Sequence, residues 1–367
     1  MITDVHTHIP SHQNKVPDSE IKYDQSMKSG SESSTKLTNS VDDYLSSMEN
    51  VEYSFIFGIA RKPWDAESQI LETPGWDKNL NHNDIASIVS KFSPKKIIPF
   101  MSLHPMDKNL DYEYKRCLNE LGMKGIKLGP NYQDFHPHSI EAMKLYSRLE
   151  NDNVPIIFHQ GTSPVTNAPL EYSHPRFIDK IATVFPNLKI ILAHLGHPWQ
   201  EYCMSVVRKH KNVYADLSAQ FYRPWSFWEG MNLFSEWGVL DKVFFGSDWP
   251  VTTPLEYSHP RFIDKIATVF PNLKIILAHL GHPWQEYCMS VVRKHKNVYA
   301  DLSAQFYRPW SFWEGMNLFS EWGVLDKVFF GSDWPVTTPL QTEEGINNLN
   351  IYGCLLYTSD AADEKRW

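Results

Sequence analysis

Five side chains that can bind a metal each stand at the end of an apolar, strand-like run. They are His6, His8, His159, His194 and Asp248. Residues two apart on a β-strand point to the same face, so the imidazoles of His6 and His8 can enter one site. Barrels of parallel strands keep their active sites at the carboxyl ends of those strands. The positions therefore predict one shared site.

Imidazole nitrogens and a carboxylate oxygen suit zinc, which also leaves one position for water. Bound zinc lowers the pKa of that water to about 7, which makes hydroxide available at neutral pH. Asp248 would both bind the metal and take the proton of the water. His194 would polarise or protonate a substrate carbonyl. The sequence thus predicts one divalent metal per chain, zinc by its ligand types, and hydrolysis.

Three basic residues follow other predicted strands and are candidates for substrate binding. Lys127 ends the fourth predicted strand, Arg61 follows the second and Arg223 follows the seventh. A guanidinium group binds a carboxylate through two parallel hydrogen bonds, so either arginine would hold an acidic substrate group. An ordinary surface arginine is the alternative for each. Together the three residues predict a small, anionic substrate.

The elements that must position these residues are eight short apolar runs alternating with amphipathic segments. The predicted strands are 2–8, 53–59, 96–102, 125–128, 155–159, 189–194, 213–216 and 242–246. The alternation predicts an α/β fold, a (β/α)8 TIM barrel. An open doubly wound sheet would need a glycine-rich phosphate turn after the first strand, and the sequence has none there. The polar segment 14–40 is predicted to be a loop over the mouth of the barrel.

One segment of the chain is present twice. Residues 169–255 recur without a substitution at 254–340, so His279 and Asp333 duplicate His194 and Asp248. Natural repeats diverge in sequence, whereas these two copies are identical. Nearly identical short segments, PVTNAPL at 164–170 and PVTTPL at 250–255, span the start of the first copy and the junction between the copies. Both observations favour an assembly error over a recent tandem duplication. The predicted domains are a barrel over 1–255, an exact duplicate of the region of strands six to eight over 256–340, and a final-helix remnant over 341–353.

The end of the chain is also unusual. Residues 354–364 resemble the translation of a sequencing adaptor, so we interpret 354–367 as a non-native tail. We expect the first copy of the repeat to close the barrel, because use of the second would leave an 85-residue insertion rich in apolar strands. A helix predicted over 260–270 would then replace the missing final helix.

The strand-end motifs resemble the amidohydrolase-related family. They are DVHTH at 4–8, GIKL at 125–128, HQG at 159–161, AHLG at 193–196 and GSDWP at 246–250. That family contains lactone and amide hydrolases together with aminocarboxymuconate-semialdehyde-type decarboxylases. The resemblance implies a mononuclear site with four ligands, His6, His8, His159 and the aspartate of GSDWP, and with His194 as a catalytic residue beside it. In relatives with two metals, a carboxylated lysine at the position of Lys127 bridges them.

The composition excludes several partners. The 367 residues carry a formal charge of −8, which gives no basic surface for nucleic acid. No apolar run is long enough to span a bilayer, no signal peptide is evident, and the four cysteines form no CxxC motif. We therefore expect a cytoplasmic protein with a small-molecule substrate and no membrane partner, either a monomer or a homo-oligomer.

Three functions remain open from the sequence. The first is a zinc hydrolase acting on a small ester, lactone or amide. The second is a metal-dependent, non-oxidative decarboxylase on the same scaffold. The third is an inactive product of a duplicated and truncated reading frame, which re-reading the source DNA across Pro254 and Cys354 would test.

Overall fold

A sheet of eight parallel strands, ordered β1 to β8 along the chain, organises the first part of the computed structural model. The structure describes residues 2–27, 38–65, 71–163, 168–220, 223–254, 260–269 and 271–348. The strands are β1 (Thr3–His8), β2 (Tyr53–Phe57), β3 (Ile97–Met101), β4 (Gly125–Leu128), β5 (Ile156–Phe158), β6 (Ile190–Leu192), β7 (Val213–Asp216) and β8 (Val243–Phe244). The amide of Val5 donates to the carbonyl of Phe245 at 3.0 Å, which brings the last strand back beside the first. The predicted TIM barrel is confirmed.

Helices connect these strands along the chain. They are α1 (Asp18–Met27), α2 (Val41–Ser47), α3 (His82–Ser90), α4 (Leu110–Asn119), α5 (Pro130–Gln133), α6 (Ile140–Asn151), α7 (Arg176–Val184), α8 (Gln200–Lys209) and α9 (Pro224–Glu236). Capping boxes begin α2 and α3, where Ser40 pairs with Asp43 and Asn81 with Asp84. Helix α1 lies in the segment that we predicted to be a loop, while 28–37 fall outside the described residues.

Two apolar layers hold the first unit together. Inside the barrel, Phe57, Phe100, Ile157 and Ile191 form one buried cluster. The larger cluster lies between the strands and the helices. Each fully buried side chain of this size contributes about 1.5–3 kcal/mol relative to exposure. Because both faces of the strands are packed, the strand ends are fixed in position, and so are the polar residues that they carry.

The chain divides into two compact units, residues 1–257 and 258–367, and the second unit has its own sheet and core. Its sheet has the order β11-β10-β9. Its elements are α10 (Pro260–Val269), β9 (Ile275–Leu277), α11 (Gln285–Lys294), β10 (Val298–Asp301), α12 (Pro309–Glu321), β11 (Val328–Phe329) and α13 (Pro339–Asn348). Ile263 and Ala267 of α10 pack in this second core. The expectation that this helix completes the first barrel is therefore wrong, because it buries its apolar face within its own repeat.

Two further predictions concern the tail of the chain and membrane-spanning helices. The adaptor-like tail, 354–367, lies outside the described residues. Among the helices in the described ranges, none combines the length and the apolar character that crossing a membrane requires.

Candidate metal centre at the mouth of the barrel

Three of the predicted ligands meet where β1 and β8 end. The Nε2 atoms of His6 and His8 each lie 3.3 Å from Oδ1 of Asp248. The backbone amide of Asp248 donates to the carbonyl of His6 at 2.9 Å, which ties the loop after β8 to β1. Asp248 has a φ of 63°, a left-handed conformation that aspartate tolerates better than most residues. The first copy of the repeat therefore supplies the carboxylate beside β1.

His159 and His194 form the neighbouring part of the site. His159 follows β5, and its Nδ1 lies 3.2 Å from Nε2 of His194, which follows β6. Ser218 fixes the other side of the His194 ring, since its Oγ lies 2.8 Å from Nδ1. His159 lies outside the cluster formed by His6, His8 and Asp248, whose ligand atoms are all within 4.8 Å of one another.

Asp216, the last residue of β7, is a part of the site that sequence reasoning missed. Its Oδ2 lies 2.9 Å from Nδ1 of His6. Its Oδ1 accepts hydrogen bonds from the backbone amides of His194 and Ser218, both at 3.0 Å. Together with His6 and His194 it also forms a second group of side chains that could bind a metal, with ligand atoms within 4.8 Å of one another. The rule that identified the other residues, a polar side chain at the end of a strand, applies equally to Asp216.

Lys127 lies deeper in the site than a residue at the barrel mouth. It is 1% exposed, and its Nζ lies 2.9 Å from Nε2 of His6. The ammonium group also lies 4.7 Å above the ring of Phe57, where a cation–π contact is favourable. Burial lowers the pKa of Lys127 to about 8. A basic group at the centre of the site is consistent with an anionic substrate.

The two arginines differ in position. Arg223 is half-buried, and its guanidinium donates to the carbonyl of Ala219 at 2.9 Å and to Oγ1 of Thr162 at 3.4 Å. It thereby connects the loops that follow β5 and β7. Arg61 is exposed on the loop after β2. Of the two, Arg223 is the better placed to contact a molecule at the carboxyl ends of the strands.

Burial sets the protonation of the imidazoles. Burial, with Lys127 second, lowers the pKa of His6 to about 3. Burial likewise lowers the pKa values of His8, His159 and His194. The rings are therefore neutral near pH 7, and each has one nitrogen lone pair, which on His6 faces the Lys127 ammonium as well as Asp248.

Asp248 behaves in the opposite way. Burial opposes its ionisation, but the rings of His194, His8 and His6 together hold the pKa of its carboxyl below the ordinary value. The carboxylate is therefore charged throughout the neutral range. A low pKa favours a role as a ligand over a role as a strong base.

The donor set fits a divalent cation. Asp216 accepts the proton on Nδ1 of His6, so the lone pair on Nε2 faces Asp248. Nε2 of His159 is buried and has no hydrogen-bond partner in the described part of the chain. Such buried nitrogens are costly unless another group satisfies them. Neutral imidazoles around an ionised carboxylate are the ligand types of zinc and related metals.

Comparison with protein-family models shows to which family the chain belongs. The Amidohydro_2 model, described as Amidohydrolase, matches residues 3–262 and again 252–366. The chain belongs to the amidohydrolase family. The two overlapping matches follow from the internal repeat, since the second begins where the second copy begins. The family is metal-dependent, in agreement with the His and Asp groups of the barrel.

Solved structures share the fold at low sequence identity. 2,6-Dihydroxybenzoate decarboxylase in complex with 2,6-dihydroxybenzoate is 16% identical, covers 69% of this chain and 90% of its own, and has a TM-score of 0.47. A probable 2-pyrone-4,6-dicarboxylic acid hydrolase from Acinetobacter baumannii, with citric acid bound, is 14% identical, with coverages of 73% and 91% and a TM-score of 0.45.

A dihydroxybenzoic acid decarboxylase from Polaromonas sp. JS666, with manganese and 2-nitroresorcinol bound, is 16% identical, with coverages of 69% and 88% and a TM-score of 0.44. No match was found among curated protein sequences.

Asp216→Asn should weaken metal binding by about 10–100-fold, the usual effect of losing the carboxylate that orients a histidine ligand. An amide nitrogen facing Nδ1 of His6 would favour the tautomer that carries its proton on Nε2, where no lone pair remains. Zinc titration with a competing chelator measures the change, and thermal melting controls for folding. Asp301→Asn, the identical change in the second copy, is the matched control. Equal zinc affinity in the two variants would show that Asp216 does not orient His6.

Proposed function

We propose that this amidohydrolase is a metal-dependent hydrolase that cleaves a carbon–oxygen or carbon–nitrogen bond in a small, anionic lactone, ester or amide. The observation that carries the proposal is the meeting of His6 and His8 with Asp248, each Nε2 at 3.3 Å from the carboxylate, within a buried site. The adjacent pair of His159 and His194 supplies the remaining groups that the reaction requires.

The cofactor in this proposal is one divalent metal, with zinc favoured by the nitrogen-rich donor set. His6, His8, His159 and Asp248 would hold it. When bound, the metal supplies Lewis-acid polarisation of a carbonyl and acidifies water. The orphaned Nε2 of His159 supports its inclusion as a ligand.

The chain's own side chains supply the proton transfers. His194 is held by Ser218 on one side, so its Nε2 faces His159 and the interior of the site. Because Nδ1 donates to the Ser218 carbonyl, Nε2 is the nitrogen that would take up a proton and then donate a hydrogen bond to the substrate carbonyl or a proton to the departing oxygen or nitrogen. Asp248 would accept the proton that water loses. The neighbouring rings lower the pKa of its carboxyl, so the group is ionised and would act as a weak base.

The basic residues select the substrate. The Lys127 ammonium lies at the centre of the site, and Arg223 bridges two of the loops around it. We assign both to binding of a substrate carboxylate, with Arg61 at the outer edge. The partner is thus a small molecule. Neither nucleic acid nor a membrane is part of the proposal.

Decarboxylation is a second candidate, and the position of Lys127 favours it. A buried cation 2.9 Å from His6 would hold a substrate carboxylate among the catalytic groups, which decarboxylation requires. The two reactions differ in their products. Hydrolysis consumes water and releases an acid, whereas decarboxylation releases carbon dioxide.

The purified protein should contain about one divalent metal per chain, because the two metal-binding groups of the barrel share His6 and so provide one mononuclear site. Elemental analysis after purification, and zinc or manganese titration of the chelator-treated protein, give the stoichiometry. Absence of metal together with absence of affinity would refute the proposed centre. Two tightly bound metals per chain would instead assign Lys127 to a bridging role.

A substrate panel tests the reaction. Lactones, esters, amides and aromatic carboxylates are incubated with the zinc-loaded and the manganese-loaded protein, while acid release and carbon dioxide release are followed separately. We expect metal-dependent acid release from an anionic lactone or amide. Carbon dioxide release without acid formation would replace hydrolysis by decarboxylation.

A further inference from the structure

The second unit exposes a surface that the same sequence buries in the first unit. Ile191 of β6 is 7% exposed inside the barrel, whereas its duplicate Ile276 in β9 is 56% exposed. Trp249 is 2% exposed, and its duplicate Trp334 is 71% exposed. Phe329, whose duplicate Phe244 packs in the barrel interior, is 43% exposed. The inner face of the second sheet is therefore apolar and uncovered, which soluble proteins rarely tolerate without a partner.

The first unit shows what covers this surface. There, β6 pairs with β5 through Ile156↔Ile190 and the two positions that follow. At the other edge of the segment, the amide of His8 donates to the carbonyl of Trp249 at 2.8 Å. The covering element is thus the half of the barrel formed by β1 to β5, the N-terminal half barrel (residues 2–163).

Both edges of the second sheet are open in the described residues. In the order β11-β10-β9, strand β9 has one neighbour and so has β11. Exposed strand edges are templates for pairing with another chain. Because β9 and β11 repeat the sequences of β6 and β8, their edges present the groups that already pair with β5 and β1.

The second unit also preserves the hydrogen bonds that orient His279, the duplicate of His194. The amide of His279 donates to Oδ1 of Asp301 at 3.0 Å, and Oγ of Ser303 lies 2.9 Å from Nδ1 of His279. The corresponding distances around His194 in the first unit are 3.0 and 2.8 Å. This local geometry therefore does not depend on the N-terminal half barrel, and the segment folds around its own core.

We propose that the inner face and edges of the second unit dock the N-terminal half barrel of another copy of this chain. The composite barrel would contain a metal centre made of His6, His8 and His159 from one chain and Asp333 from the other, with His279 beside it. The metal part of this inference rests on the proposed function, whereas the docking does not.

The exchange replaces one interface by another with the same residues. A half barrel that moves from the first copy of its own chain to the second copy of a neighbour exchanges identical side chains. The vacated first copy then exposes the same face, so the number of uncovered faces is unchanged and little free energy separates the two pairings. Exchange of identical elements is an established route to oligomers. Refolding at high concentration should therefore populate chains joined in this way, since mass action favours association.

Two full-length variants isolate the composite site. The acceptor has His6→Asn, His8→Asn and Asp248→Asn, so its intact carboxylate is Asp333. The donor has Asp248→Asn and Asp333→Asn, and it retains both histidines. Equimolar acceptor and donor are unfolded together and refolded at rising concentration. Native mass spectrometry then counts mixed particles, and zinc titration measures bound metal.

We expect mixed particles whose fraction rises with concentration and which bind about one zinc ion per donor–acceptor pair, more than either chain refolded alone. Adding Asp333→Asn to the acceptor should preserve the mixing and remove the zinc. Ile276→Lys, at a position exposed in the second unit, should prevent mixing. Mixing without zinc would support the docking and contradict the metal ligands. Monomers at every concentration, or mixing that Ile276→Lys leaves intact, would overturn the docking.

Discussion

Asp248→Asn should reduce turnover by at least about 10³-fold and weaken zinc binding at the same time. The change preserves shape but removes the charge that lies 3.3 Å from both His6 and His8. It removes a ligand and a proton acceptor together, and loss of an acid–base group alone costs about 10²–10⁴-fold. The measurements are kcat with the best substrate of the panel and a zinc titration.

The duplicate residue provides the control. Asp333→Asn makes the same chemical change in the same local sequence, yet Asp333 belongs to the second compact unit. In dilute, monomeric protein it should leave kcat unchanged. If Asp333→Asn abolished activity while Asp248→Asn did not, the catalytic barrel would contain the second copy.

His194→Ala should lower turnover by about 10²-fold or more while nearly all of the metal remains bound. The proposed role of His194 is proton donation and polarisation of the carbonyl, and such a group contributes at least this much. The test distinguishes two roles, because His194 could also bind a metal together with His6 and Asp216. Kinetics and elemental analysis on the same preparation separate the two roles.

His279→Ala is the matched control for this second variant, and it should affect neither quantity in monomeric protein. Loss of zinc from His194→Ala in proportion to the lost activity would identify His194 as a ligand. The proposed role would then pass to another residue, although the family assignment would be unaffected.

Most of the barrel could be predicted from the sequence, because the strands are short apolar runs and several of them are followed directly by a polar residue. The structure places all eight strands within a few residues of the predicted bounds. Segment 14–40 was less predictable. Its polar composition suggested a loop, but α1 forms there with the acidic residues Asp18 and Glu20 in its first turn.

The site was predictable in its residue types and less so in its contacts. Lys127 was predicted to bind substrate from the end of the fourth strand, but its burial against His6 was not predicted. It is buried because a side chain on an inner strand face points into the barrel whatever its charge. Asp216 was overlooked although it ends β7. Which histidine it would contact depends on how the closed barrel brings β7 near β1, which spacing along the chain does not reveal.

The uncovered face of the second unit also has a consequence for synthesis. A ribosome extends a chain by roughly 5–20 residues per second, so the first copy leaves the exit tunnel several seconds before the second. The N-terminal half barrel therefore meets residues 169–255 first and is already engaged when residues 254–340 emerge. In newly made protein, the N-terminal half barrel would then pair with the first copy of its own chain, because translation presents that copy first. Refolding after chemical unfolding presents both copies at the same time.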